Sequence, residues 1–504
     1  MRSSNLSARP GRAIGRLAAV VAMLGGCRSA EAIRDPEYLP LAMTPAVAHA
    51  SYETVAAAVM PEHPDLAGEH GVDEYVRYAL LQNPQIQARR KRVEAAALRV
   101  PQAASLKDPE VAVMGYPFFP NVPQTASGRM TVDVVVSQEV PWHGKLRTRA
   151  EAAESEADMA RAELVAEELE VVEQVKRSYY ELYFIQRSLE ITEESRALAV
   201  DLSRIAEIRY RTAQVSQQDL LRAELEVAEV DAELVRLRQE LQSAQARLAR
   251  LLHVSPETAV RATANLPHEE IPRDLQLLYE RAIAARPELH VQLNEVRRER
   301  FAADLARLDY YPDLKFSFGW GQMTTHKAMA PTADGIDNLS VGVMANIPVY
   351  RKRLDAAVRE AEAKAVASAR EYEGLRDRTQ EEIKDQFAQA GAQQELLELF
   401  RANIVPKADQ TLRVSITAYE TGKVDFLQII DNWRQLLRYR IAQEKQEAQL
   451  RQSLAALERL VGGMLPTAPL PPPAPAPPAG PEPAPPEPPR LPAQDQPLDA
   501  IENE

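Results

Sequence analysis

The clearest pattern in the chain is the segment of residues 220–251, LLRAELEVAEVDAELVRLRQELQSAQARLARL. Its apolar side chains recur in alternating steps of three and four, the spacing of a coiled-coil seam. The seam consists of Leu220, Ala223, Val227, Val230, Leu234, Leu237, Leu241, Ala244, Leu248 and Leu251. The same spacing recurs near the C-terminus at Leu450, Leu454, Leu457 and Val461. The pattern predicts long helices that pack against one another along their length.

A second indication of long helices is the segment from Lys145 to about Tyr210, which contains neither Pro nor Gly. As one helix it would run about 100 Å at 1.5 Å per residue, which few compact domains can hold. With 45% apolar and 26% charged residues, the chain is not wholly disordered. Its net charge of −13 disfavours nucleic acid as a partner. The composition therefore favours a mainly α protein.

Four marks of the first half of the chain recur, in order, in the second half. The matching pairs are 79–86 with 282–289, 108–111 with 311–314, 140–142 with 347–349, and 210–215 with 419–424. Chance could produce one such match, but four in order point to a duplication. We predict two tandem structural repeats, residues 73–253 and 274–463. A linker with three prolines joins them at 254–273.

Each repeat is expected to start with a helix of about 30 residues, followed by two strands and a very long helical stretch that breaks once and turns back. The strands show period-two alternation. Their apolar sets are Leu314, Phe316, Phe318 and Trp320; Leu339, Val341, Val343, Ala345 and Ile347; Val132, Val134 and Val136; and, more weakly, Val111 and Val113. Such segments suit a transmembrane barrel. A soluble sheet with one buried face alternates identically.

Closure of the sheet favours the membrane barrel over the soluble sheet. One chain supplies only four such strands, and an open sheet edge cannot persist in hydrocarbon. Closed membrane barrels have at least about eight strands. We therefore expect several chains to share one barrel, which the long helices continue away from the membrane.

The N-terminus has the pattern of a bacterial lipoprotein signal. A basic region containing Arg2 and Arg16 precedes an apolar run that ends in Leu24-Gly25-Gly26-Cys27. We expect cleavage after residue 26 and acylation of Cys27, the only cysteine in the chain; an ordinary signal peptide with a chance cysteine is the alternative. Residues 27–72 would form a periplasmic leader.

The C-terminal tail, residues 464–504, is rich in proline. Residues 466–497 hold 16 of the 37 prolines in the chain, which prevents regular helix or sheet. We expect an extended, disordered periplasmic segment. No stretch after the signal approaches 18 consecutive apolar residues, so any membrane crossing is expected to use strands.

Three kinds of motif mark the ends of the predicted elements. They are Asn83-Pro84 and Arg286-Pro287 at helix starts, Gln138-Glu139-Val140-Pro141-Trp142 and Ala345-Asn346-Ile347-Pro348-Val349 after strands, and residues 419–427, YETGKVDFL, at a hairpin tip. With these motifs the chain resembles, over roughly residues 70–463, the TolC-like outer-membrane efflux family. No single motif is specific. Their ordered occurrence in both halves carries the resemblance.

The resemblance implies a homotrimer with a 12-stranded outer-membrane barrel and a long α-helical coiled-coil barrel below it. This gives a mainly α fold with a small transmembrane β part. It also implies a lipid-anchored subunit in the outer membrane of a Gram-negative bacterium. Its partners would be a periplasmic adaptor and an inner-membrane pump, of the resistance-nodulation-division type, with drugs or heavy-metal cations as substrates.

The sequence is also compatible with two other functions. The chain could be the outer-membrane component of a type I protein secretion system, or a periplasmic coiled-coil lipoprotein or adaptor without a channel. An adaptor should carry β domains on both sides of one hairpin, whereas these strands form one hairpin per repeat. The sequence has no nucleophile elbow or phosphate-binding loop, so we expect neither an enzyme nor a cofactor.

The second hairpin tip carries the candidate gate. By the resemblance, the two acidic gate positions of the family fall on Gln428 and Asp431, which lie three residues apart on one helical face. A ring of three Asp431 carboxylates would attract cations, although a solvated surface aspartate is an equal alternative. Gly422 suits a tight reversal, because glycine tolerates positive φ. Since Ala213 occupies that place in the first repeat, its turn must be made differently.

A weaker candidate concerns metal. Met323, His326 and Met329 recur at steps of three in a loop, and soft ligands of this kind suit Cu(I) or Ag(I). Methionines also fill gaps in proteins, so this set is a minor hypothesis. Trp142 and His143, at a strand end, are expected to anchor the barrel at the membrane interface.

Overall fold

Most of the chain forms very long helices, as the computed structural model shows for residues 66, 68–117, 122–266, 271–421 and 423–465. The first half contains β1 (Gly68–His70), α1 (Val72–Gln82), α2 (Pro84–Ala104), β2 (Glu110–Gly115), β3 (Gln124–Thr125), β4 (Gly128–Val140), α3 (Lys145–Arg211), α4 (Gln217–Leu252) and β5 (Val260–Ala262). The second half contains α5 (Leu275–Ala285), α6 (Pro287–Leu308), β6 (Leu314–Thr324), β7 (Asn338–Ala345), α7 (Arg351–Leu399), a π-helical turn (Phe400–Ile404), α8 (Val405–Glu420) and α9 (Phe426–Val461).

The expected long helix is confirmed as α3, a single helix of 67 residues. At 1.5 Å per residue it extends about 100 Å. It turns back into α4 through a short loop. The first turn of α4 is closed by a capping box, in which the Ser216 hydroxyl accepts from the Asp219 N–H and the Asp219 carboxylate accepts from the Ser216 N–H.

The seams read from the sequence face the interior. Of the α4 seam, seven members are buried and Val227 and Leu241 pack against the buried clusters. The α9 seam at Leu450, Leu454, Leu457 and Val461 is buried with α5 and α7. Burial of these seams holds the helices together along their length, since apolar burial contributes roughly 25 cal/mol per Å².

The single helix expected at the start of each half was wrong. Two helices, α1 and α2, meet at Asn83, and two others, α5 and α6, meet at Arg286. Both junction residues are extended, with ψ of 123° and 118°. Each precedes a proline, whose ring excludes the helical conformation from the residue before it.

The helical return of the second half also differs from expectation, because it is interrupted twice. Besides the turn between α8 and α9, a π-helical turn separates α7 from α8. Pro406 follows this turn and cannot donate a hydrogen bond to the carbonyl of Ala402. The widened turn accommodates the missing bond without ending the rod.

The strands of the two halves meet in one antiparallel sheet with the order β2-β4-β6-β7, and β3 pairs with the loop end of β4. A separate parallel pair, β1 with β5, packs against α3. The element order helix pair, strands, long helices thus occurs on both sides of β5. Among the described residues, no helix has the length and apolar content needed to cross a bilayer.

Candidate functional site

One face of the sheet carries two apolar rows that cross the four strands β2, β4, β6 and β7. Register places Val113, Val134, Trp320 and Leu339 in one row across β2, β4, β6 and β7. A second row runs through Val111, Val136, Phe318 and Val341. Val341 is 82% exposed, and its row neighbours Val111 and Phe318 are exposed as well. Large apolar surfaces of this kind mark a contact with lipid or protein.

The opposite face, called the polar face below, carries mainly small and polar residues. Three rows cross the strands: Glu110, Ser137, Ser317 and Gly342; Ala112, Val135, Gly319 and Ser340; and Met114, Asp133, Gly321 and Asn338. Lys315 binds the Glu110 carboxylate at 2.5 Å. Gly319 allows close packing here, since a Cβ at this position would lie 2.3 Å from the Ser340 hydroxyl oxygen, which would have to move.

The sheet ends in two unpaired edges within the described part of the chain. The outer edge of β2 and the outer edge of β7 pair with no other strand there. Every pairing from β2 to β7 is antiparallel, so β7 runs opposite to β2. Open, apolar edges of this kind are templates for further strand pairing.

An ion cluster around a buried lysine joins the sheet to the helices. Lys145, the first residue of α3, is almost fully buried and lies 3.0 Å from both Asp309 and Asp313. Asp313 also accepts the backbone N–H of Trp142 at 2.8 Å. Burial raises the pKa of this carboxyl, but the Trp142 N–H and the Lys145 ammonium outweigh it and leave the pKa below 3.8. The cluster ties β4 to the start of β6.

The predicted interface residues lie at this same end of the strands. Trp142 stacks on Tyr311, with ring centroids 5.2 Å apart and planes 10° from parallel. Both rings are partly exposed, and His143 beside them is exposed. Such amphipathic rings suit a membrane–water boundary.

Both predicted gate residues lie on the exposed face of α9, close to its start. Gln428 and Asp431 are exposed, while Phe426, Ile429 and Ile430 anchor the opposite face of this helix in the core. The structure therefore leaves the two predicted side chains free to face a pore or solvent. Gly422 lies outside the described residues.

The turn of the first hairpin is made by an alanine in the left-handed conformation. Ala213 has a φ of 54°, and the N–H groups of Ala213 and Gln214 close the turn on the carbonyls of Tyr210 and Arg209. The first turn was expected to be made without glycine, and here Ala213 itself adopts the positive φ that glycine usually provides. His253, at the end of α4, likewise has a positive φ of 57°. At the end of α9 the same left-handed position is held by Gly462, with a φ of 84°.

Contacts between the two hairpin tips were not predicted from the sequence. The guanidinium of Arg209, at the end of α3, lies 4.2 Å from the ring centroid of Tyr419 at the end of α8. Farther from the tips, Arg434 of α9 donates a hydrogen bond to the buried carboxylate of Glu226 in α4 at 2.8 Å. These residues are far apart in sequence, so only the fold brings them together.

The three predicted metal ligands lie in different surroundings. Met323 is 7% exposed and sits opposite Met130 on the polar face, whereas Met329 is 81% exposed in the β6–β7 loop. His326 is exposed. In the ranges that the structure describes, no group of three or more His, Cys, Asp or Glu side chains could hold a metal ion. Cys27, the leader up to residue 65 and the tail from residue 466 lie outside the described residues.

A sheet with two exposed apolar rows, together with a helix of about 100 Å, is typical of an elongated protein that contacts a membrane. The sequence model of the family described as Outer membrane efflux protein matches residues 76–253 and 278–463. The chain belongs to this family and is an outer-membrane efflux protein. The resemblance inferred from the motifs is thereby confirmed.

Similar proteins agree with this assignment. The chain is 23% identical over 424 residues to the cobalt-zinc-cadmium resistance protein CzcC of Cupriavidus metallidurans, covering 83% of this chain and 95% of the relative. The outer membrane protein VceC of Vibrio cholerae has a similar structure, with a TM-score of 0.64, 20% identity and coverage of 78% and 96%. The open state of the Neisseria gonorrhoeae MtrE outer membrane channel gives a TM-score of 0.64, 15% identity and coverage of 81% and 93%.

Proposed function

We propose that three copies of this chain form an outer-membrane duct that passes substrates from a periplasmic pump assembly to the exterior. Four strands from each chain would make a barrel of 12 strands. The apolar face would contact lipid, and the polar face would line the lumen. The long helices would continue this lumen into the periplasm, and the channel would do no covalent chemistry.

The observation that carries this proposal is the register of the sheet. Two rows of apolar side chains cross all four strands, while the rows of the opposite face consist mainly of polar or small residues, with Val135 and Met114 as the exceptions. A lipid-facing wall needs this separation, because lipid and water contact opposite faces of each strand. The helices pack on their own seams and leave the apolar face of the sheet uncovered.

The direction of the strands supports ring closure. Because β7 runs opposite to β2, the β7 edge of one chain can pair antiparallel with the β2 edge of the next. Repetition of this contact gives an all-antiparallel ring, as bacterial barrels require. Closed symmetry would leave no edge exposed to hydrocarbon.

The partners and anchor belong to the same proposal. We infer a periplasmic adaptor and an inner-membrane pump of the resistance-nodulation-division type, and acylation at Cys27 as a lipid anchor. The two halves would be repeats produced by duplication, with 254–273 as their linker. The metal-resistance name of the Cupriavidus relative favours heavy-metal cations as substrates over drugs.

The hairpin tips would form the periplasmic gate. Asp431 is exposed three residues from Gln428, so both side chains could face the axis of a trimer. The Arg209–Tyr419 and Arg434–Glu226 contacts would hold the two hairpins of one chain together in the closed state.

The decisive experiment measures location and oligomeric state. Full-length protein expressed in a Gram-negative host should appear in the outer-membrane fraction and migrate as a trimer without boiling. It should migrate as a monomer of about 56.1 kDa, less the signal, after boiling. A monomer in the soluble periplasm would instead support the coiled-coil lipoprotein. A trimer that pairs with a protein-exporting pump would support type I secretion.

A paired substitution on β2 tests which face meets lipid. Val113→Lys puts a charge on the apolar face, at a cost of roughly 2–4 kcal/mol per chain near the bilayer midplane. It should sharply reduce the trimer in the outer membrane. The neighbouring Ala112→Lys, on the polar face, should leave the trimer intact. Equal effects of the two variants would contradict the assignment of faces.

A further inference from the structure

Methionine side chains collect on the polar face at the loop end of the sheet, which is the end far from the helices. Met130 of β4 lies directly opposite Met323 of β6. Met114 of β2 lies opposite Asp133 of β4, and Asp133 in turn lies opposite Gly321. These four side chains, Met114, Met130, Met323 and Asp133, are called the thioether patch below.

Gly321 lets the thioethers converge. The Met130 sulfur lies 3.7 Å, and its methyl carbon 3.0 Å, from the point that a Cβ at position 321 would occupy. The Met130 side chain therefore folds over the glycine, toward the row that holds Asp133 and Met114. Opposed residues of an antiparallel pair have Cβ atoms about 4.5–5.5 Å apart, which brings Met130 and Met323 within reach of one ion.

The chemistry of the patch selects a class of ligand. Thioether sulfurs are neutral and soft, and they suit Cu(I) and Ag(I), whereas divalent zinc and cobalt take imidazole, thiolate or carboxylate. The Asp133 carboxylate adds a negative charge beside them, which attracts any cation. Met114 is 48% exposed and Met323 is 7% exposed, so the patch has both an open side and a sheltered side.

We propose that the thioether patch is a binding site for soft monovalent cations, Cu(I) or Ag(I), near the outer mouth of the duct. The proposal rests on the proposed function, in which the polar face lines the lumen. Each chain contributes one patch, so a trimer holds three. Conduction needs sites that bind strongly enough to collect the ion and weakly enough to release it. Two or three thioethers without a thiolate suit that requirement.

The test compares silver binding by thioether variants of the full-length trimer in detergent. Ag(I) is titrated by calorimetry in a chloride-free nitrate buffer, since silver needs no reductant. Met130→Leu/Met323→Leu keeps the volume of both side chains but removes two sulfurs, and it should lose about one bound Ag(I) per chain. Met344→Leu is the matched control, because Met344 lies on the same face at the opposite end, across from Lys315. It should bind silver like the parent.

Other outcomes would overturn the proposal. Equal silver binding by the parent and the double leucine variant would mean that Met130 and Met323 only pack against Gly321. Zn(II) binding that is equally lost in the double variant would exclude selectivity for soft ions. A protein that is trimeric and conducts ions but binds no silver would end this inference alone. A protein that forms no trimer would end the proposed function as well.

Discussion

Asp431 is the residue whose side chain most directly tests the gate. Three copies around a narrow axis would place three carboxylates within several ångströms of a passing ion. A divalent cation at about 6 Å from each would gain roughly 1–4 kcal/mol in a screened aqueous pore. The Asp431 side chain is exposed on α9.

Asp431→Asn should therefore raise the concentration of divalent cation that half-blocks the channel by about tenfold. Single-channel conductance in a planar bilayer measures this directly. Glu224→Gln, an exposed acid on α4, provides the control and should leave the block unchanged. An unchanged block in Asp431→Asn would place this carboxylate outside the pore.

The Lys145–Asp313 cluster should make stability depend on acid. The folded pKa of Asp313 lies below its ordinary value of 3.8. The group therefore stabilises the fold fully above that ordinary value, and its contribution disappears as pH falls through the lower folded pKa. Asp313→Asn should lower the melting temperature at pH 7, and the difference from the parent should shrink toward pH 2. A difference that grows on acidification would contradict this sign.

At the scale of elements, the turn between α3 and α4 carries measurable strain. An L-residue in the left-handed conformation costs about 1–2 kcal/mol. Glycine avoids this cost but gains roughly 0.4–1 kcal/mol of entropy in the unfolded chain. The first term is larger, so Ala213→Gly should stabilise the tip by about 0.5–1 kcal/mol.

The local stability of the tip in Ala213→Gly is measured by amide hydrogen exchange at the end of α3 and the start of α4. Ala228→Gly, at an exposed helical position of α4, should act in the opposite direction by about 1 kcal/mol. If both glycine variants weakened protection, the positive φ of Ala213 would not be a source of strain.

The helices and strands could be predicted from the sequence because each rests on a local pattern. The seam around Leu234 follows a period of three and four, and the strand around Phe318 follows a period of two. Asn83-Pro84 and Arg286-Pro287 were predicted as helix starts, but the breaks that separate each of these helices from a preceding short helix were missed. The rule that the residue before proline leaves the helix would have found them.

Contacts between distant elements could not be read from local patterns. The sequence grouped Met323 with His326 and Met329, which follow it by three and six residues. The partner that the fold supplies is Met130, which depends on the register between β4 and β6. The contact of Arg209 with Tyr419 depends in the same way on two hairpins lying side by side.

At the scale of the whole molecule, the central question is whether the edges β2 and β7 meet between chains. Cysteines on the two edges report this, because a disulfide forms only when the Cα atoms lie about 4.4–6.8 Å apart. Val113→Cys on β2 is combined in turn with Leu339→Cys, Val341→Cys or Val343→Cys on β7. All four positions belong to the apolar face, so the three pairs sample the possible registers.

One of these pairs should give covalent dimers and trimers on a boiled, non-reducing gel, with nothing larger. The ceiling at three follows from closure: a ring of three chains offers three β2–β7 contacts and no free edge, whereas an open array would continue as a ladder. Val113→Cys alone should give no such bands, since the β2 strands of neighbouring chains are separated by three other strands of the ring. A ladder beyond the trimer would disprove closure, and the absence of bands from all three pairs would disprove the edge contact on which the barrel depends.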